Sequence, residues 1–295
     1  MIVSADSKGL SSWTVSQDGA SSSVNHAGHL SVDNVLTLGG GTESNILSIS
    51  LEGEMRVFSS QDAADGSIQC VATSTKPEAV CSAVMLPNHN GQLIASVSES
   101  DKVSLYSLSH GSFTLQQEHS IPSESLTHLA ASPDSSCLAF ATASGRVGLI
   151  KLDQSSGGFI SHSTYNTRFS KISAIAVTSS IVMIGTEAGE IIRYSPGELL
   201  TRQSNPHSDK ISALFPAKNG IVSAGWDGKL FLWPASSGAP VERHVFSSPI
   251  TCLAVSGDRV VTGHCDKKVL VTRLSETLPE PELIDETARL LYGDF

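Results

Sequence analysis

The chain is short of several things, and each shortage removes a class of explanation. Cysteine is sparse: Cys70, Cys81, Cys137, Cys252 and Cys265 form an odd set with no Cys-x-x-Cys spacing. They read as small buried apolar residues in a reducing compartment rather than as a redox or metal framework. No apolar stretch approaches the roughly 18 residues that a membrane-spanning helix needs. The opening "MIVSADSKGL" has no basic segment followed by an apolar run, so no secretory signal is expected there. Bases are outnumbered, 19 against 29 acids, for a formal charge of −10. Such a balance disfavours nonspecific binding to nucleic acid or to anionic membranes, which needs clustered cations. The expectation is a soluble intracellular protein, cytoplasmic or nuclear, with neither nucleic acid nor membrane as partner.

What is present points to β structure. Charged residues make up only 16% of the chain, and long helix-forming charged runs are scarce, while Ser, Gly and Val/Ile are plentiful. At 295 residues the chain can bury a sizeable core. The stretch "SAGWDGKLFLW", Ser223 to Trp233, places a tight polar turn between two apolar runs. The same frame recurs without a gap as "SISLEGEMRVF" (Ser48–Phe58), "SVSESDKVSLY" (Ser96–Tyr106), "FATASGRVGLI" (Phe140–Ile150), "IGTEAGEIIRY" (Ile184–Tyr194) and "TGHCDKKVLVT" (Thr262–Thr272). With one deletion it also fits "SADSKGLSSW" (Ser4–Trp13). The closing positions 13, 58, 106, 150, 194, 233 and 272 are 39 to 48 residues apart. In copies two to seven a further run rich in small residues precedes the hairpin, from "NVLTL" (Asn34–Leu38) to "ITCLAVS" (Ile250–Ser256). Repeats of this length, each carrying a hairpin and a partner strand, are what four-stranded propeller blades require.

In this frame the sequence resembles the WD-repeat family of β-propellers, over essentially residues 1–274. Copy six is the best match. The resemblance implies an all-β, seven-bladed propeller of four-stranded antiparallel blades that acts as a non-catalytic protein-interaction scaffold without cofactor or metal. It also implies a polar network that ties the blade together, formed by His207, Ser223, Asp227 and Trp233. Other copies depart from the pattern. Only copies six and seven keep Asp at the turn (Asp227, Asp266), so the remaining blades are expected to rely on packing. Finer likenesses are short. "ITCLAVSGDRVVTGHCDKKVLV" is similar to one blade of the mitotic-checkpoint and mRNA-export propellers. Ile181 to Leu274 is similar to part of the actin-interacting propellers, which implies a cytoskeletal regulator as the alternative function.

Copy one begins at its second strand, so its inner strand is expected from elsewhere, and the donor nearest to hand is the tail, residues 275–295. "SETLPEPELIDETARLLYGDF" reads as a helix from Pro281 to Gly293, with "ARLLY" as the competing ring-closing strand. Signs of chemistry are weak. "HCD" (His264–Asp266) puts an imidazole beside a thiol, but neighbours on an extended chain face opposite ways, and Asp266 falls on the repeat's turn. "LGGGTE" (Leu38–Glu43) lacks the Lys-Ser/Thr of a phosphate loop and reads as a connection. His26, His29 and His89 sit in connectors, and no small-molecule substrate or metal is expected.

The position just before the turn Asp lies on one rim of a propeller. It is occupied in turn by Asp6, Leu51, Glu99, Ala143, Glu187, Trp226 and Cys265. A rim of this kind is half apolar and half acidic. Trp226, Glu187, Glu99, Asp209 and Leu51 are therefore the expected partner-binding residues, suited to a protein that offers an apolar residue amid Lys or Arg. The simpler alternative is that Trp226 packs on its neighbouring loop.

Overall fold

The structure, a computed structural model, describes residues 2–6, 9–15, 21–26, 32–37, 45–50, 53–59, 69–74, 80–86, 93–98, 101–109, 111–121, 125–167, 171–179, 181–195, 198–203, 206–235, 238–275 and 282–283. Every regular element among them is a β-strand. The chain divides into two compact units, Met1–Arg168 and Phe169–Phe295.

The first unit holds four sheets. Sheet one is three-stranded, β1 (Ile2–Asp6), β2 (Gly9–Val15) and β3 (Ser21–His26). Sheet two is β4 (Val32–Thr37), β5 (Asn45–Ser50), β6 (Met55–Ser59) and β7 (Gln69–Thr73). Sheet three is β8 (Val80–Met85), β9 (Leu93–Ser98), β10 (Lys102–Ser109) and β11 (Ser112–Ser120). Sheet four is β12 (Leu126–Ala131), β13 (Cys137–Thr142), β14 (Arg146–Leu152) and β15 (Phe159–Asn166).

Three more sheets make up the second unit. Sheet five is β16 (Ile172–Val177), β17 (Val182–Thr186), β18 (Ile191–Ser195) and β19 (Glu198–Gln203). Sheet six is β20 (Ile211–Ala217), β21 (Gly220–Gly225), β22 (Lys229–Pro234) and β23 (Val241–Val245). Sheet seven is β24 (Ile250–Ser256), β25 (Arg259–His264), β26 (Val269–Arg273) and the short β27 (Glu282–Leu283). Each sheet is an antiparallel meander in chain order, the arrangement that short loops allow without crossovers.

The sheets repeat one another in detail. A closing residue of the sequence frame sits opposite an aliphatic partner on the preceding strand, as in Ile46↔Phe58, Leu138↔Ile150, Val182↔Tyr194 and Ile221↔Trp233. Register slips at the head of the first strand recur at Val32/Asn34, Val80/Ser82, Leu126/His128, Ile172/Ala174, Ile211/Ala213 and Ile250/Cys252. A bulge increases twist, so a slip at one fixed place gives each sheet the same bend. The hairpin turn is also shared. Five residues before each closing position, Gly53, Asp101, Gly145, Gly189, Gly228 and Lys267 adopt φ between 60° and 83°. In five of these turns that residue donates its N–H to the carbonyl three residues back, for example Gly228 to Gly225 at 3.1 Å and Lys267 to His264 at 3.0 Å. This is a three-residue loop ending on a left-handed residue.

Burial follows the stacking of neighbouring sheets. Leu47, Met55, Val57, Ala83, Ile94 and Tyr106 form a core that joins sheets two and three. Leu105, Val97, Phe140, Leu138 and Ile150 join sheets three and four. In the second unit, Met183, Ile191, Ile211, Phe231 and Trp233 fill the space between sheets five and six. Val222, Leu230, Leu232, Ile250 and Val260 do the same between six and seven. Each fully buried aliphatic side chain contributes about 1.5–3 kcal/mol relative to exposure. A sheet with two apolar faces gains that energy only when it has a neighbour on either side.

The tail is described only at Ser275 and Glu282–Leu283, and the latter two residues, which fall within the expected helix, are strand. No helix is described in residues 275–295; its Glu282–Leu283 pairs with β26 as the fourth strand of sheet seven, through Leu270↔Leu283 and Val271↔Glu282. "ARLLY" and "LGGGTE" lie outside the described residues. Among the described residues no helix is long and apolar enough to cross a membrane.

Candidate functional site

Sheet six builds its turn around a chain of four side chains. The indole N–H of Trp233 on β22 donates to Ser223 Oγ on β21 at 2.9 Å. Ser223 Oγ lies 2.8 Å from His207 Nε2, and His207 Nδ1 lies 2.9 Å from Asp227 Oδ1. A carboxylate only accepts, so His207 must carry its proton on Nδ1. Its Nε2 then accepts the Ser223 hydroxyl, and the bonds run in one consistent direction from Trp233 through Ser223, and from His207 to Asp227. Asp227 also takes the backbone N–H of Ser208 at 3.0 Å and of Lys229 at 3.0 Å. The imidazole is fully buried, and this burial pushes its pKa below the usual histidine value, against the opposing pull of Asp227. We therefore treat the contact with Asp227 as a hydrogen bond from a neutral ring, not as an ion pair.

The network leaves no spare volume. A Cβ on Gly225 would lie 2.5 Å from His207 Nδ1 and 2.7 Å from Asp227 Oδ1. Gly225 is thus the residue that admits the imidazole beneath the turn. Residues 198–234, which contain all of these groups, match the family model described as WD domain, G-beta repeat. The chain carries a WD repeat. Among curated protein sequences none matches the chain. Among solved structures, the crystal structure of the computationally designed Ika8 protein is similar, with a TM-score of 0.63 and 19% identity over 96% of this chain and 85% of that one. At that identity the likeness speaks to the fold alone.

The WD repeat also fixes the residue before its turn. Trp226 is 44% exposed, although its backbone N–H is held by the carbonyl of Lys210 at 2.9 Å. The same bond holds Ala143 to Ser125, Glu187 to Lys171 and Cys265 to Pro249, at 2.8, 3.1 and 3.0 Å. In each of these four sheets the residue before the turn is therefore fixed by its main chain while its side chain is exposed. Within the second unit, Glu187, Trp226 and Cys265 occupy this position in successive sheets.

Around Trp226 the charges are mixed. Lys210 Nζ lies 5.7 Å from the indole centroid, within cation–π range, and Lys171 pairs with Glu187 at 3.3 Å. Asp209 is exposed and accepts the N–H of Lys210 at 2.6 Å. The sequence reading omitted both lysines. Their signal was positional: each immediately precedes a first strand whose opening Ile is buried, Ile172 or Ile211. Leu51 and Glu99 lie outside the described residues.

The other weak signs resolve locally. His264 is buried, 2.8 Å from Thr262 Oγ1 through Nε2 and 3.2 Å from the Ser248 carbonyl through Nδ1, whereas Cys265 is exposed. Imidazole and thiol thus point apart. None of the five cysteines is in a disulfide. Among the described residues no group of three or more His, Cys, Asp or Glu side chains could hold a metal.

Proposed function

We propose that the chain is a seven-bladed WD-repeat propeller spanning residues 1–274, with residues 275–295 as an appended tail, that serves as a non-catalytic platform for other proteins inside the cell. The observation that carries this reading is Trp226, a large apolar side chain left half-exposed on a turn whose backbone is stapled in place. A rigid exposed aromatic is a suitable anchor, because little ordering is required when a partner covers it. Glu187, Asp209, Leu51 and Glu99 complete the proposed docking rim. The overall charge of −10 favours a partner that presents an apolar residue among Lys or Arg. WD repeats commonly serve as interaction scaffolds, which supports the same reading. Five free thiols suit a reducing compartment, cytoplasmic or nuclear.

The test is affinity capture from cell extract with the wild type and with Trp226→Ala, Glu187→Lys and Asp209→Lys, read by mass spectrometry. A specific basic partner lost from all three variants, with melting temperatures within about 2 °C of wild type, supports the platform. If Trp226→Ala instead lowers the melting temperature strongly, the residue is part of the scaffold and the rim assignment fails.

A further inference from the structure

The outer strands of sheets three and four bring together two histidines that the polar networks do not use. His119 on β11 and His162 on β15 face each other with Nε2 and Nδ1 2.8 Å apart and ring centroids 4.4 Å apart at an interplanar angle of 61°. Nothing about this pair is local in sequence; they are 43 residues apart and belong to different sheets. The strands that carry them are tied at their neighbours. Gln117 Oε1 accepts the backbone N–H of Phe159 at 2.8 Å, and the Phe159 ring lies edge-on to His119 at 6.3 Å. His162 is exposed, so the pair opens to solvent on one side.

We propose that His119 and His162 form a two-imidazole chelate for a divalent transition cation of square-planar preference, copper(II) or nickel(II), bridging the outer edges of two sheets. The geometry selects the metal class. Imidazole nitrogens bind such ions at about 2.0–2.1 Å, so two nitrogens 2.8 Å apart subtend an angle of about 90° at the ion. That is the angle between adjacent ligands in a square-planar or octahedral site, whereas a tetrahedral zinc site separates its nitrogens by about 3.3 Å. The affinity order of nitrogen ligands for divalent ions also favours copper. With no third protein ligand among the described residues, water completes the coordination on the exposed side.

The protons balance without an outside base. In the metal-free pair one ring nitrogen donates its hydrogen to the other. When the cation takes the place of that hydrogen bond, the proton moves to the far nitrogen of its own ring. His119 then carries its proton on Nδ1 and His162 on Nε2, and no net proton leaves the neutral pair.

Titration calorimetry on the full chain with copper(II), nickel(II) and zinc chlorides tests the site, alongside His119→Gln and His162→Gln. One copper equivalent is expected to bind at least tenfold more tightly than zinc. Either substitution should weaken that equivalent tenfold or more. Because the ligands come from two sheets, copper should also raise the melting temperature of the wild type and leave both variants unmoved. His162→Gln changes an exposed side chain, so it reports even if His119→Gln folds poorly. Equal binding by wild type and His162→Gln, or zinc binding as tightly as copper, overturns the proposal.

Discussion

Sheets six and seven are built on one frame but close it differently. In sheet six the imidazole comes from the connector, as His207, and reaches under the turn through the gap left by Gly225. In sheet seven the equivalent of Gly225 is His264 itself, and the equivalent of His207 is Phe246, whose ring meets His264 edge-on at 4.8 Å. Thr262 takes the place of Ser223 and contacts His264 at 2.8 Å. A buried imidazole thus occupies the same part of each sheet from two chain positions. The ends of the networks differ too. Trp233 donates to Ser223, whereas its counterpart Thr272 is buried with an Oγ1 that has no hydrogen-bond partner. What the frame conserves is a satisfied polar plug beneath the turn, and several residue choices supply it.

Breaking the plug where it is most connected should cost most. Asp227 is 3% exposed and accepts from His207, Ser208 and Lys229, while Asp266 is 35% exposed, and its carboxylate accepts the backbone N–H of Lys268 as its own backbone N–H donates to Ser248 Oγ. Asp227→Ala is expected to lower unfolding free energy by about 3 kcal/mol and Asp266→Ala by less than about 1 kcal/mol, since only the first strands buried donors. Urea melts of the two variants measure the gap; equal losses would mean that the two turns are equivalent after all.

The turns themselves offer a smaller contrast. Gly228 and Lys267 share the left-handed position, but a Cβ on Gly228 would lie 2.3 Å from the Phe246 carbonyl. Gly228→Ala should therefore destabilise by about 2 kcal/mol, and Lys267→Gly should stabilise by roughly 0.5–1 kcal/mol by relieving an unfavourable φ. Differential scanning calorimetry reads both signs. Below this in size, Thr272→Val removes the unpartnered hydroxyl of sheet seven and should be neutral or stabilising by up to about 1 kcal/mol. A clear loss in the same melts would reveal a bond to that oxygen.

Acid is the gentlest way to compare the two plugs. Burial holds the pKa of both His207 and His264 below the ordinary value. In the unfolded chain both titrate near about 6.5, so below that pH the unfolded state binds protons that the folded state refuses. Their contribution is complete above about pH 6.5 and declines as the pH falls toward the folded values. Urea midpoints should drop between pH 7.5 and 5.5, less so in His264→Gln. A midpoint that rose on acidification would show His207 to be an imidazolium paired with Asp227.

The hairpins were legible in the sequence because strands such as β9, β13, β17 and β21 are buried almost throughout and end at a turn with strong backbone demands. The fourth strands were not. β11 and β15, "SFTLQQEHS" and "FISHSTYN", are mostly exposed, so burial imposes little periodicity on them. Polar closure was legible only where Asp and Trp announce it. In sheets two, four and five the turn is capped instead by hydroxyls: Ser50, Thr142 and Thr186 accept the N–H of Glu54, Arg146 and Glu190 at 3.1, 3.0 and 3.1 Å. These copies thus add a hydroxyl cap at the turn to the packing expected of them. Ser and Thr are too common in this chain to mark such a role by themselves. The rim lysines escaped notice for a related reason, since charge beside an aromatic becomes meaningful only once their separation is known.

In sheets four to seven the staple between the residue before the turn and the residue ahead of the first strand is made by main-chain atoms alone. The exposed side chains of Ala143, Glu187, Trp226 and Cys265 take no part in that bond. A segment cut at its strand ends and spliced in place of its counterpart would find the same attachment points waiting. Such a molecule can diversify what it displays by exchanging whole modules, with no need to reinvent the joint.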